Sequence, residues 1–111
     1  MTTLSEISFH GESGKLYDFK TFFMDSDFKP FGCVYIVTRR HAVEGGVSAG
    51  QTAFYVGQTD DLKKEMENHP QQECFVENGV NCICVHHDDL EQSRLQKVDD
   101  LIRKLGPKCH G

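Results

Sequence analysis

Apolar and polar positions alternate in short bursts at the start of the chain. In "ISFHGESGKLYDF", two semi-apolar runs, Ile7 to His10 and Lys15 to Phe19, flank a Gly-Glu-Ser-Gly turn. That pattern predicts a β-hairpin. "FFMDSDFKPFG" then leads through Pro30 and Gly32 into "CVYIVT", Cys33 to Thr38. This run is apolar on both faces and rich in β-branched and aromatic residues, as suits a central strand covered on both sides. The glycine-rich connection "RRHAVEGGVSAGQT" separates it from a second strand, "AFYVG", Ala53 to Gly57. A connection of that length predicts antiparallel neighbours.

Helical spacing takes over next. A first helix is expected to start after Thr59 or Asp60, both good N-cap types, with Asp61 suiting the positive end of the helix dipole. Pro70 is expected to end it, because a proline pushes the preceding residue out of helical geometry. This helix would place Leu62, Glu65, Met66 and His69 on one face. A third strand is expected at about Asn81 to His86, "NCICVH". A second helix comes after Asp88 and Asp89. Leu90, Leu95, Val98, Leu101, Ile102 and Leu105 recur at helical spacing and predict its core stripe. Gly106-Pro107 stops it. The expected order is a hairpin and then β-β-α-β-α. That is an α+β fold with helices on a small, mainly antiparallel sheet.

Composition narrows the classes. The 111 residues suffice for one domain with one core. We read residues 1–111 as a single domain, with 1–30 as an N-terminal extension and 31–110 as the core. The longest apolar run is "CVYIV", far short of the roughly 20 residues a membrane-spanning helix needs. "MTTLSEISFH" has no basic segment followed by an apolar one, so no secretory signal is expected. With five cysteines, an odd number, and no such signal, the reading is reduced thiols in a cytoplasm. A net charge of −5 without a basic run counts against nucleic-acid binding, which a basic stripe usually drives. No internal repeat or low-complexity segment shows.

The motifs, taken together, resemble a known family. "CVYIV" followed by "FYVGQTDDL" is similar to the paired motifs of the GIY-YIG nuclease superfamily, with Tyr35 matching the first motif and Tyr55 and Gly57 the second. His69 stands at the family's helical distance. "ICVHHDDLEQSRL" resembles the third strand and second helix start, and "DLIRKLGPKCHG" the closing segment. The resemblance covers about Phe31 to His110. It implies hydrolysis of a DNA phosphodiester. A glutamate of the second helix would hold a divalent metal, a first-motif tyrosine would assist deprotonation of water, and an arginine of the first helix would face the phosphate. Negative charge gathers on phosphate oxygens in the transition state, so the metal and the arginine carry the chemistry.

Both charged positions differ here. The family arginine falls on Glu65, the metal-binding glutamate on Val98, and the closing asparagine on His110. Asp99 and Asp100 flank Val98 but point about 100° and 200° away on a helix. Lys63 and Lys64 stand in the same relation to Glu65. The expectation is therefore a nuclease-like domain without nuclease activity, acting in recognition. A protein partner or self-association is favoured, with nucleic acid still open, and no membrane. The candidate site residues are Tyr35, Tyr55, Glu65 and His69. No cofactor is expected. The alternative is a divergent metal-dependent endonuclease, using Mg²⁺ or Mn²⁺ on a relocated set in which Glu65 pairs with His69. The favoured reading of Glu65 is instead a half-exposed carboxylate hydrogen-bonded to Tyr35, Tyr55 or His69. Cys82, Cys84 and His86 share one strand face. Zinc needs two ligand couples at characteristic spacing, so Cys82 and Cys84 are read as small core residues.

Overall fold

A computed structural model describes residues 2–41 and 50–109. The connection 42–49 and His110, the position of the closing asparagine, lie outside the described residues. Five strands and three helices are described: β1 (Ser5–His10), β2 (Leu16–Phe23), β3 (Cys33–His41), β4 (Gly50–Thr59), α1 (Leu62–Glu67), α2 (Gln72–Glu77), β5 (Cys82–His87) and α3 (Glu91–Leu105). The fold is α+β. Its sheet is antiparallel throughout, in the order β1-β2-β5-β3-β4.

The N-terminal hairpin forms with Ile7 opposite Phe19. It joins the main sheet through β2, where Phe22 stands opposite Ile83 of β5. The central strand is β3, paired on one side with β4 and on the other with β5. Cys33 to Thr38 is buried without interruption, as a strand covered on both faces requires.

Alternation along β3 divides the core. Cys33, Tyr35 and Val37 point to one face, where they pack with Phe22, Phe54, Leu62 and Phe75. Val34 and Ile36 point to the other, with Phe19, Val56, Cys84 and Leu101. Thus α1 and α2 cover the first face and α3 the second. A β-bulge sits opposite the Val37–Thr38 step. It inserts Phe54 as an extra residue, so Phe54 and Tyr55 both serve the α1/α2 face.

Three local expectations are corrected. First, α1 begins at Leu62, one residue later than a cap at Asp60 would place it and two later than a cap at Thr59. Asp61 is the N-cap and accepts from the Lys64 N–H at 3.0 Å, while Thr59 accepts from the Asp61 N–H. Second, the helix ends at Glu67, before Pro70, and a separate short helix, α2, comes next. His69 therefore lies in the turn between them. Third, the buried stripe of α3 keeps Val98, Leu101 and Leu105 of the expected series but not Leu90, Leu95 and Ile102. Leu90 is 70% exposed, Leu95 49% and Ile102 39%. The inward positions are Arg94, Val98, Leu101 and Leu105, spaced at i, i+4, i+7 and i+11. Arg94 is 4% exposed. Its Nε donates to Gln58 Oε1 at 2.9 Å and its Nη1 to the Asp88 carbonyl at 3.0 Å. Long arginine stems cover apolar surface well, which lets a cation take an inward helix position if its head is satisfied.

The cysteines are corrected as well. Five reduced thiols are expected from sequence, but Cys74 and Cys109 form a disulfide across 35 residues. Gly106 takes the left-handed conformation and stops α3. The chain then turns back, and the Cys109 N–H donates to the Phe54 carbonyl at 2.7 Å. That hydrogen bond brings Cys109 to α2, with Cα atoms 5.9 Å apart, a span a disulfide bridges. The pairing removes the cysteine-based ground for a reducing compartment. No helix among the described residues is long and apolar enough to cross a membrane.

Candidate functional site

The four candidate residues come together on the α1/α2 face. Tyr35 is fully buried in the middle of β3. Its ring crosses over Gly57, its antiparallel partner on β4. A Cβ at position 57 would stand 2.8 Å from the Tyr35 hydroxyl and 2.7 Å from the Tyr55 ring. The motif glycine is thus a steric requirement of the two motif tyrosines. Tyr55 lies alongside Tyr35, ring centroids 5.9 Å apart and planes 29° from parallel. His69 packs edge-on against both, at 5.9 and 4.8 Å. Phe75 of α2 closes the group, 4.9 Å from the His69 ring and 5.8 Å from Tyr55.

The polar atoms form a directed chain. The Gln71 backbone N–H donates to His69 Nδ1 at 3.0 Å. That nitrogen must therefore be the unprotonated one, and in the neutral ring the proton sits on Nε2. Nε2 lies 2.7 Å from the Tyr35 oxygen and donates to it. The Tyr35 hydroxyl in turn donates to Glu65 Oε2 at 2.6 Å. Glu65 and His69 are 3.9 Å apart, and 30% of the Glu65 side chain is exposed.

Burial shifts these groups consistently. Desolvation raises the Tyr35 phenol far above its ordinary value, and the bond to Glu65 raises it further. Tyr55 is raised by burial and by the Glu65 charge. His69 is lowered by burial, with Glu65 opposing. The chain Gln71–His69–Tyr35–Glu65 is accordingly a neutral imidazole and a neutral phenol leading to one carboxylate at the surface.

Val98 is not part of this group. It packs with the Phe19, Val34, Ile36 and Leu101 cluster under α3, on the opposite face of the sheet. Asp99 is exposed and pairs with Arg103. Asp100 points at the hairpin turn, where it accepts from the Ser13 N–H, the Ser13 hydroxyl and the Tyr17 hydroxyl. These hydrogen bonds hold its carboxyl below the usual carboxylate range. The donors around Glu65 do not fit a divalent ion. Glu65 is the only carboxylate of the group, and the protonated His69 nitrogen already faces Tyr35. Among the described residues no three His, Cys, Asp or Glu side chains gather as a metal site.

Cys82, Cys84 and His86 share the α3 face of β5, in register with Thr38, Ile36 and Val34. Both cysteines are fully buried. His86 is engaged at both nitrogens, with the Asp18 carbonyl at 2.8 Å and Lys97 Nζ at 2.9 Å. Lys97 also reaches Asp88 at 2.8 Å. Burial works against the Asp88 charge, but hydrogen bonds from Lys97, Ser93 and the Leu90 N–H hold its carboxyl well below the usual range. Two parts of this framework have little trace in the sequence. Arg94 stands four residues before Val98, the spacing of the true stripe, which is its one signal. The approach of α2 to the tyrosines has none.

A groove of about 890 Å³ runs over β1, β2 and β5, lined by Asp18, Lys20, Phe22, Lys29, Phe31 and His87 among others. None of the four candidate residues lines it. Comparison of the chain with protein-family models, with curated proteins and with solved structures finds no match.

Proposed function

We propose that this chain is a GIY-YIG-like domain that works by recognition and not by phosphodiester hydrolysis. The observation carrying this reading is the state of Tyr35. A tyrosine that helps deprotonate water needs its oxygen within reach of that water. Here the residue is fully buried and its hydroxyl is occupied by His69 and Glu65. Two further facts support the reading. An acidic side chain stands where a phosphate-facing cation is expected, and the position expected to hold a metal-binding carboxylate is a valine on the other face of the sheet. Rate enhancements of this class demand roughly 8 to 23 kcal/mol, which the remaining groups have no means to supply.

The partner class we favour is protein. The groove mixes Lys20 and Lys29 with Asp18 and Glu6, a pattern suited to a mixed-charge protein surface and poorly suited to a polyanion. Purified protein should not cleave DNA with Mg²⁺ or Mn²⁺. Cleavage that disappears in Glu65→Ala would establish the nuclease alternative. A DNA titration at low salt should show no binding, and tight salt-dependent binding would move the partner to nucleic acid.

A further inference from the structure

The Cys74–Cys109 disulfide sits beside the cover over the tyrosine cluster. Cys74 lies on α2, next to Phe75, whose ring closes over His69 and Tyr55. Cys109 is held at the β4 bulge by a single backbone hydrogen bond to Phe54. Asn78 Nδ2 reaches both sulfurs, at 3.4 and 3.7 Å, as well as the Cys74 carbonyl at 2.7 Å. The C-terminal segment, α2 and the edge of β4 thus meet at one bond.

Besides the disulfide, α2 is anchored through Phe75, which is buried against His69 and Tyr55 and whose carbonyl accepts from the Val80 N–H. It has six residues and no side-chain N-cap, and so short a helix has almost no stability of its own. Phe75 is its one buried residue. Cys74 is half-buried and Cys109 buried, so any approach to the bond is from the Cys74 side. An incoming thiolate would attack the Cys74 sulfur and Cys109 would leave, beside the Asn78 amide.

The other three thiols are kept out of exchange. Cys33, Cys82 and Cys84 are fully buried. Desolvation pushes the Cys33 thiol up to about 12 and Cys84 up to about 11, and it raises Cys82 as well. Because the thiolate is the nucleophile, buried protonated thiols do not scramble the bridge. One exchangeable pair and three silent thiols is the arrangement a reversible redox site needs.

We propose that Cys74 and Cys109 are a reversible redox pair whose disulfide pins α2 and the C-terminal segment over the tyrosine cluster, and whose reduction by a dithiol frees both. The exchange balances. A dithiol gives two electrons and two protons and becomes a cyclic disulfide, while the protein's S–S bond becomes two S–H groups. The other strands need no rearrangement. This redox pair is independent of the proposed function, since a covered cluster matters to any ligand of this face.

The test uses full-length protein with maleimide labelling, intact mass and hydrogen exchange. Without reductant, native protein should take no label. With dithiothreitol it should take two, mapped to Cys74 and Cys109, and only added denaturant should expose the other three. Exchange in α2 and at the Cys109 N–H, which donates to the Phe54 carbonyl, should rise at least about tenfold on reduction, while β3 and β5 keep their protection. Cys74→Ser/Cys109→Ser should show the fast exchange without reductant and no response to it. Label on Cys74 or Cys109 before reduction would overturn the pairing. No label after dithiothreitol would overturn its accessibility, and five labels would make the bond a staple of the whole fold. Two labels with unchanged exchange would sever the bond from the cover.

Discussion

At the scale of single residues, the tyrosine cluster makes sharp demands on its neighbours. Gly57→Ala adds a methyl into space already held by the Tyr35 hydroxyl and the Tyr55 ring. Such overpacking should cost about 1 to 3 kcal/mol, read from the urea midpoint. Tyr35→Phe removes only an oxygen, yet it strips a partner from both His69 and Glu65. Burial of the orphaned His69 N–H should cost about 1 to 3 kcal/mol. His69 also sets a pH dependence. Burial lowers its folded-state pKa below the ordinary 6.5, so on acidification the unfolded chain takes up its proton first. Stability from this group is complete above pH 6.5 and falls as pH drops from there through the lowered folded value. The physical cause is visible, since protonation of Nδ1 destroys the bond from Gln71. Urea unfolding at about pH 7.5 and about pH 5.5, on either side of the ordinary histidine value, should show a loss in the wild type that is smaller in His69→Gln.

At the scale of elements, the strands are far more legible in the sequence than the helices. All five are predicted, because buried β-branched runs and turn glycines announce them. The α3 stripe misleads because Arg94 faces in while Leu90, Leu95 and Ile102 face out. Hydropathy scores the charged head of an arginine and ignores its stem. The remedy is testable. Leu101→Ala, in the true stripe, should cost about 2 to 5 kcal/mol, whereas Leu95→Gln should stay within about 0.5 kcal/mol. Equal losses would return Leu95 to the core. The second helix of the α1–α2 pair is hidden for another reason. Six residues around one buried phenylalanine make no periodic signal, and Pro70 reads as a stop that carries no information about the next turn of chain. Nor does a 35-residue separation between two of five cysteines reveal which of them pair. The pairing of Tyr35 with Tyr55 is legible, since strand alternation persists in three dimensions, whereas His69 reaches the group from the turn after α1, through the Tyr35 hydroxyl it shares with Glu65. That Val98 faces the other side comes from α3 crossing behind the sheet, which no local pattern encodes.

At the scale of the whole molecule, the position of β2 decides how the chain divides. Its residues from Lys20 to Phe23 pair with β5, so the N-terminal hairpin continues the sheet. Phe19 enters the core under α3 and Phe22 the core under α1 and α2. The hairpin turn is fastened to α3 by Asp100, which takes three hydrogen bonds from Ser13 and Tyr17 while its own carbonyl accepts from Glu12. Removing residues 1–30 would therefore strip the core under α3 of Phe19 and the core under α1 and α2 of Phe22 and Phe28, and bare the β5 edge from Cys82 to Val85. An unpaired apolar edge is a template for association, and losing three buried aromatic rings, Phe19, Phe22 and Phe28, at about 3 to 5 kcal/mol each rivals the roughly 5 to 15 kcal/mol by which domains are stable. Residues 31–111 alone should thus fail to give a cooperative urea transition and should elute from gel filtration as aggregates. Asp100→Ala in the full chain is the milder counterpart. It should leave the cooperative transition intact and speed amide exchange at Glu12 and Ser13. A folded, monomeric 31–111 fragment would make the hairpin an accessory to the sheet, and the three phenylalanines would then be replaceable packing.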